Sequence, residues 1–315
     1  MELIHTSRDQ PRPFVDPDRT LDGSRRARVA LRRLETLWFN TGTQCNLTCE
    51  NCYIESSPTN DALVYLTPDD VEPYLTEIAE LDLPVRTLAY TGGEPFLNPA
   101  FMEILARGLD AGFEALVLTN AMRPMMKHAD ELLRLRQIHG DRLALRVSVD
   151  HFDRRLHEEE RGRQSWTPML RGLKWLSAQG FRPSVAGRTR WGEDEATLRA
   201  GFARLFEEEG IDVDAADPSC LILFPEMDPE AEVPEITTEC WSILGKDPDE
   251  LMCASARMVE RRRGSDAPTV VACTLLPFDA RFDTGPRLAD ALGEVTLNHV
   301  HCSRFCVLGG GSCSG

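Results

Sequence analysis

Between residues 36 and 224, short apolar runs that read as buried strands alternate with amphipathic stretches that read as helices, and this alternation constrains the fold more than anything else in the chain. The strands are TLWFN at 36–40, VRTLAY at 85–90, ALVLTN at 115–120, LALRVSVD at 143–150, RPSVAGRTR at 182–190 and CLILF at 220–224. After the first, LTPDDVEPYLTEIAELD predicts a helix with Thr67 as N-cap, Pro68 at the first helical position, and Val71, Tyr74, Leu75 and Ile78 on one face. The next helix is expected to be capped by Asn98 and to close near Gly112, another spans 124–137, and SWTPMLRGLKWLSAQG and DEATLRAGFARLFEEEG supply two more. Such alternation implies parallel strands joined by crossover helices. Six strand units favour an α/β fold built as a partial (β/α)6 TIM-type barrel over an open doubly wound sheet. In barrels of this kind active-site residues lie at the C-terminal ends of strands. The loop after residue 40, the GGEP turn, Asn120, Ser148 with Asp150, and Arg188 all fall there.

The flanks read differently. Residues 1–34 form a polar N-terminal arm, 35–230 the barrel, and an acidic, proline-bearing linker leads into 231–315, a small cysteine-rich domain with a β-hairpin. No stretch is long and apolar enough to span a membrane, and the N-terminus is too polar for a signal peptide, so a cytoplasmic protein without membrane contact is expected. A formal charge of -16 argues against a nucleic-acid partner, which needs clustered Lys and Arg. The basic run ERRRG at 260–264 reads as a solvated turn.

In a reducing compartment the ten cysteines are better read as ligands or catalytic groups than as disulfides. Cys45, Cys49 and Cys52 form an asymmetric C-x3-C-x2-C triplet without a fourth Cys or a His in the same loop. Structural zinc closes with four ligands. Three thiolates on an iron-sulfur cube leave one iron able to bind an outside ligand.

The triplet with Tyr53 behind it resembles the signature of the radical S-adenosylmethionine (SAM) superfamily, and Gly92, Gly93, Glu94 and Pro95 resemble that superfamily's second motif. The resemblance covers about residues 36–225. It implies a [4Fe-4S] cluster on Cys45, Cys49 and Cys52 that binds SAM through its free iron. Reduction would cleave SAM to methionine and a 5'-deoxyadenosyl radical that takes hydrogen from substrate, and an electron donor such as flavodoxin or ferredoxin is implied as partner. Glycines at 92 and 93 would let the backbone approach the ligand, Glu94 would accept from the SAM ammonium, and Tyr53 would lie near the adenine. Ser148 and Arg188 are candidates for the ribose hydroxyls and the carboxylate, though a backbone cap and a surface ion pair explain them equally well. Asn120 and Asp150 point to the same mouth or to turns.

Cys253 and Cys273 bracket the predicted hairpin, and Cys302, Cys306 and Cys313 lie in a glycine-rich tail that needs a staple. This resembles the auxiliary-cluster extensions called SPASM and, in the shorter form, twitch. Five cysteines suit one further [4Fe-4S] cluster with one thiol to spare, and zinc at this second site is the alternative. Cys220 reads as a buried small hydrophobe, and Cys240 as a buried thiol or a donor or acceptor near the radical site. No catalytic residue beyond these is singled out. Peptide-modifying members often carry a winged-helix leader-binding domain, and a short polar arm cannot form one. The substrate is therefore expected to be a small molecule, or a peptide recognised without such a domain. A non-catalytic zinc or iron-sulfur module, and a fold repurposed as a metal chaperone, are the competing readings.

Overall fold

The computed structural model describes residues 12–228 and 230–312 of the chain. In order the elements are β1 (Arg28–Val29), β2 (Thr36–Asn40), α1 (Pro68–Glu80), β3 (Thr87–Thr91), α2 (Phe101–Asp110), β4 (Glu114–Thr119), α3 (Arg123–Met126), α4 (Ala129–His139), β5 (Leu143–Asp150), α5 (Arg154–Arg161), α6 (Trp166–Ala178), β6 (Ser184–Arg188), α7 (Glu195–Glu209), β7 (Leu221–Phe224), α8 (Cys240–Leu244), β8 (Ala256–Glu260), β9 (Thr269–Val271), β10 (Asp283–Gly285) and β11 (Val295–Thr296).

Strands β2 to β7 pair in sequence order and all in parallel, the partial barrel that the alternation predicts. Strand period 2 divides their side chains between two cores. Leu37, Phe39, Leu88, Tyr90, Ala115 and Val117 pack with the helices. Trp38 and Ala89 point the other way, into a second core shared with Met258, Val271, Leu297 and Phe305 of the C-terminal region.

That second core explains a feature the sequence did not reveal. β8 pairs in parallel with β2, so the hairpin β8–β9 and then β10 continue the barrel sheet to nine strands, in the order β10-β9-β8-β2-β3-β4-β5-β6-β7. The arm is tied down as well. β1 pairs with β11, and buried Arg26 donates to the carbonyls of Asp16, Arg19 and Leu297 and to the Glu235 carboxylate.

Local expectations hold with shifts. Thr67 caps α1 in a capping box with Asp70. Asn98 does not cap α2, which starts after Ala100; its amide instead donates to the carbonyls of Thr41 and Leu66. The helix expected over 124–137 is broken into α3 and α4 at Lys127–His128. The basic run is not free in solvent: Arg261 pairs with Asp70, Arg262 with Glu260 and Asp283, and Arg263 with Asp61. No helix among the described residues is long and apolar enough to cross a membrane.

Candidate functional site

The chain leaves β2 into the cysteine loop, and the neighbouring strands end at the same rim. One cavity there is lined by Cys45, Cys49 and Cys52 together with Tyr53, Gly92, Gly93, Ser148 and Arg188. Residues nominated from four separate segments thus share one space. Asn120 lines it too, and Asp150 is buried directly behind, paired with Arg161.

Glu94 and Pro95 are buried and do not line this cavity. The Glu94 carboxylate accepts from Thr119 Oγ1 at 2.8 Å and from the Asn120 backbone N–H at 2.9 Å. Burial pushes its pKa up to about 7, against the hydrogen bonds from Asn120 and Thr119. Glu94 therefore ties the end of β3 to the end of β4.

The glycines have a structural task of their own. Gly92 adopts φ +142°, and a Cβ there would lie 2.6 Å from the Gly42 carbonyl oxygen. A Cβ on Gly93 would lie 2.2 Å from the carbonyl oxygen of Gln44. Without side chains, the turn runs against the cysteine loop: Gly93 N–H donates to Gly42 O at 2.8 Å and Glu94 N–H to Gln44 O at 3.0 Å. This ladder fixes the loop immediately before Cys45.

Helix α5 was missed by the sequence reading, because RRLHEEER carries almost no apolar periodicity. Its ends were legible: Asp153 accepts from the N–H groups of Arg155 and Leu156, and Gly162 closes the helix at φ +91°. The helix brings Glu160 and Arg161 into the cavity wall. Glu160 is buried, and its carboxylate accepts from Asn51 N–H at 3.0 Å and Asn51 Nδ2 at 3.1 Å, between Cys49 and Cys52. Arg188 lies 3.1 Å from the same carboxylate and donates to Asn51 O at 2.9 Å, while Arg190 pairs with its other oxygen. Arg188 is therefore no lone surface ion pair; it braces the cysteine loop.

Arg161 bonds Asp150 through Nε at 2.5 Å and Nη2 at 3.2 Å. Burial would raise Asp150, but Arg161 and Arg188 outweigh it and hold that carboxyl below the usual range. Asp150 itself sits at φ +57°, beside a register shift between β5 and β6. Burial pushes the Cys45 thiol up to about 12 and raises Cys49, with Arg161 opposing the rise at Cys49. Ser56, a further residue not anticipated, is buried with its Oγ unpartnered at this cavity, and its N–H donates to Cys52 Sγ at 3.3 Å. Among the described residues no three His, Cys, Asp or Glu side chains close on a single ion. A cube presents its irons at separate corners, so three thiols sharing a cavity suit it without meeting at a point.

A second small cavity is lined by Cys253, Cys273, Cys302 and Cys306 among apolar side chains. Cys253 precedes β8, Cys273 follows β9, and Cys302 and Cys306 belong to a π-helical segment, Cys302–Leu308. Burial pushes Cys253 up to about 11 and Cys302 up to about 12. Cys313 lies outside the described residues. Cys220 is half-buried rather than buried, just ahead of β7 and beside Asp217. Cys240 opens α8 and accepts from Thr237 N–H at 3.4 Å. A separate open groove is lined by Cys52 and Tyr53 of the cysteine loop together with Leu275 to Ala280, His299 and His301 of the C-terminal region.

Residues 39–189 match the radical SAM superfamily. The chain belongs to that superfamily. As a radical SAM enzyme it implies a [4Fe-4S] cluster and SAM, and the three thiols, with no fourth among the residues lining their cavity, fit that donor set. AlbA of Bacillus subtilis (strain 168), an antilisterial bacteriocin subtilosin biosynthesis protein, is 32% identical over 149 residues, 47% of this chain and 32% of AlbA. The GTP 3',8-cyclase of Microcystis aeruginosa is 26% identical over 161 residues, 49% of this chain and 46% of the cyclase. The matches thus span from just under a third to just under a half of these relatives' length. Among solved structures, Streptococcus suis SuiB bound to S-adenosylmethionine matches with a TM-score of 0.58 at 11% identity, over 81% of this chain and 64% of SuiB. The structure of anSMEcpe with bound AdoMet matches with a TM-score of 0.56 at 14% identity, over 82% of this chain and 79% of that one. At such identities these two share the fold, which reaches beyond the barrel into the cysteine-rich region.

Proposed function

We propose that this radical SAM enzyme modifies a peptide by hydrogen-atom abstraction, using a second iron-sulfur site to take up an electron. Cys45, Cys49 and Cys52 hold the SAM-binding cluster. Bound there, cluster and SAM together supply a 5'-deoxyadenosyl radical. Tyr53, Gly92, Gly93 and Ser148 line the space for SAM, and Glu94 with Pro95 supports it from behind. Arg161 and Arg188 offer cations for the SAM carboxylate, Arg161 through the guanidinium edge not bonded to Asp150. Cys253, Cys273, Cys302 and Cys306 hold the auxiliary cluster.

The observation that carries this reading is the open groove running from Tyr53 to the segment leading into Cys302. It lets an extended ligand lie against Cys52 and against the segments that flank Cys273 and Cys302. The peptide class draws support from the similarity to AlbA and from the shared fold of SuiB, solved bound to precursor peptide SuiA. A small-molecule substrate is the second reading, favoured by the similarity to GTP 3',8-cyclases. The test is anaerobic reconstitution with SAM, dithionite and deuterated candidate peptides or nucleotides. Deuterium in 5'-deoxyadenosine from a peptide supports the first reading, and deuterium from a nucleotide alone supports the second. Absence of any SAM cleavage would point to the metal-chaperone alternative.

A further inference from the structure

Arg257 on β8 is fully buried, yet its guanidinium has no carboxylate partner among the described residues. Nε donates to Ala291 O at 2.7 Å, Nη1 to Cys253 O at 2.7 Å and to Ala256 O at 2.8 Å, and Nη2 to Gly293 O at 2.9 Å. Arg26, which is also fully buried, is by contrast neutralised by the Glu235 carboxylate. Carbonyl dipoles satisfy the N–H groups of Arg257 but leave its charge uncompensated, which is costly in an apolar interior. The ionisable groups that act on it are the thiols of Cys253 and Cys273. Both line the second cysteine cavity.

We infer that Arg257 is the counter-cation of the auxiliary cluster and raises its reduction potential. The inference rests on the auxiliary-cluster reading above. Four thiolates outweigh the positive charge of a [4Fe-4S] core, so the loaded site is anionic. One added electron makes it more so, with no bond formed or broken. A guanidinium fixed by four carbonyls, one of them that of the ligand Cys253, favours the reduced state. It has no rotamer freedom to lose in doing so. Arg257 thereby makes the site a better acceptor for an electron leaving the substrate radical.

The test is a dithionite redox titration of the full-length holoprotein followed by electron paramagnetic resonance, with iron counted in parallel. Arg257→Gln keeps N–H donors without the charge, Arg257→Met removes both, and Arg257→Lys keeps the charge alone. The neutral variants should hold the reduced auxiliary cluster at least about tenfold less favourably, equal to about 59 mV for one electron, while the SAM-binding cluster stays unchanged. Arg257→Lys should remain near wild type. If the neutral variants load no auxiliary cluster, Arg257→Lys decides. Loading by the Lys variant supports a charge role, and failure to load overturns it. Full iron content with an unmoved potential in Arg257→Gln overturns the role of Arg257 alone. A wild-type chain with only about four irons overturns the auxiliary cluster itself.

Discussion

Replacing Glu160 tests whether α5 holds the cysteine loop. Its carboxylate takes two hydrogen bonds from Asn51, at 3.0 and 3.1 Å, and neutralises Arg188 and Arg190. Truncation to Ala removes both acceptors and strands part of a buried ion-pair group, a loss of about 3–5 kcal/mol where nothing compensates. Here Asp150 and Glu226 lie 3.7 and 3.6 Å from Arg188 and share its charge. The lower end, about 3 kcal/mol, is therefore expected, equivalent to a fall in Tm of about 4–5 °C for a chain this long. Glu160→Gln keeps an oxygen for Asn51 N–H and should cost about half as much. Urea unfolding gives the stability, and the rate at which a chelator strips iron from the SAM-binding cluster gives the loop's hold on it. Both variants should lose that iron faster than wild type while keeping the auxiliary iron. A Glu160→Ala protein within about 0.5 kcal/mol of wild type, with unchanged stripping rate, would refute the bracing role.

Gly93→Ala should push the cysteine loop away, because its Cβ meets the Gln44 backbone at 2.2 Å; SAM cleavage with dithionite should fall by at least about a hundredfold, the cost of misplacing a reacting group by about 1 Å. Cys306→Ala should keep SAM cleavage but lower bound iron from about eight to about four per chain, read by colorimetric iron assay. Burial raises Glu260 to about 8, so the folded state holds a proton that the unfolded state releases at 4.5. Its contribution is complete below pH 4.5 and is lost as pH rises towards 8, and Glu260→Gln should flatten the fall in Tm across that window.

How much was legible in the sequence differs from element to element. TLWFN, LALRVSVD and CLILF announce themselves because a strand covered on both faces is apolar throughout. The cysteine triplet and GGEP lie on consecutive strand ends, so their meeting followed from the barrel alone. Helix α5 escaped because it buries His157 and Glu160 rather than an apolar stripe. Ser56, Glu160 and Arg161 escaped with it, since what marks them is burial and partners, not residue type. The pairing of β8 with β2 is a contact across more than two hundred residues, and only the second core around Trp38 and Met258 shows why the hairpin docks there. Glu94 illustrates a different limit: its position in the motif was readable, but its orientation towards Thr119 and Asn120 needed coordinates.

The proposed three-thiolate cluster cleaves SAM and is distinct from the proposed second site on four other cysteines. The most direct measurement is 5'-deoxyadenosine formed with dithionite by the anaerobically reconstituted chain and by its Cys45→Ala, Cys49→Ala and Cys52→Ala variant. The wild type should form it, and the triple variant should form none while retaining about four irons at the second site. SAM cleavage that survives loss of all three cysteines would contradict the account.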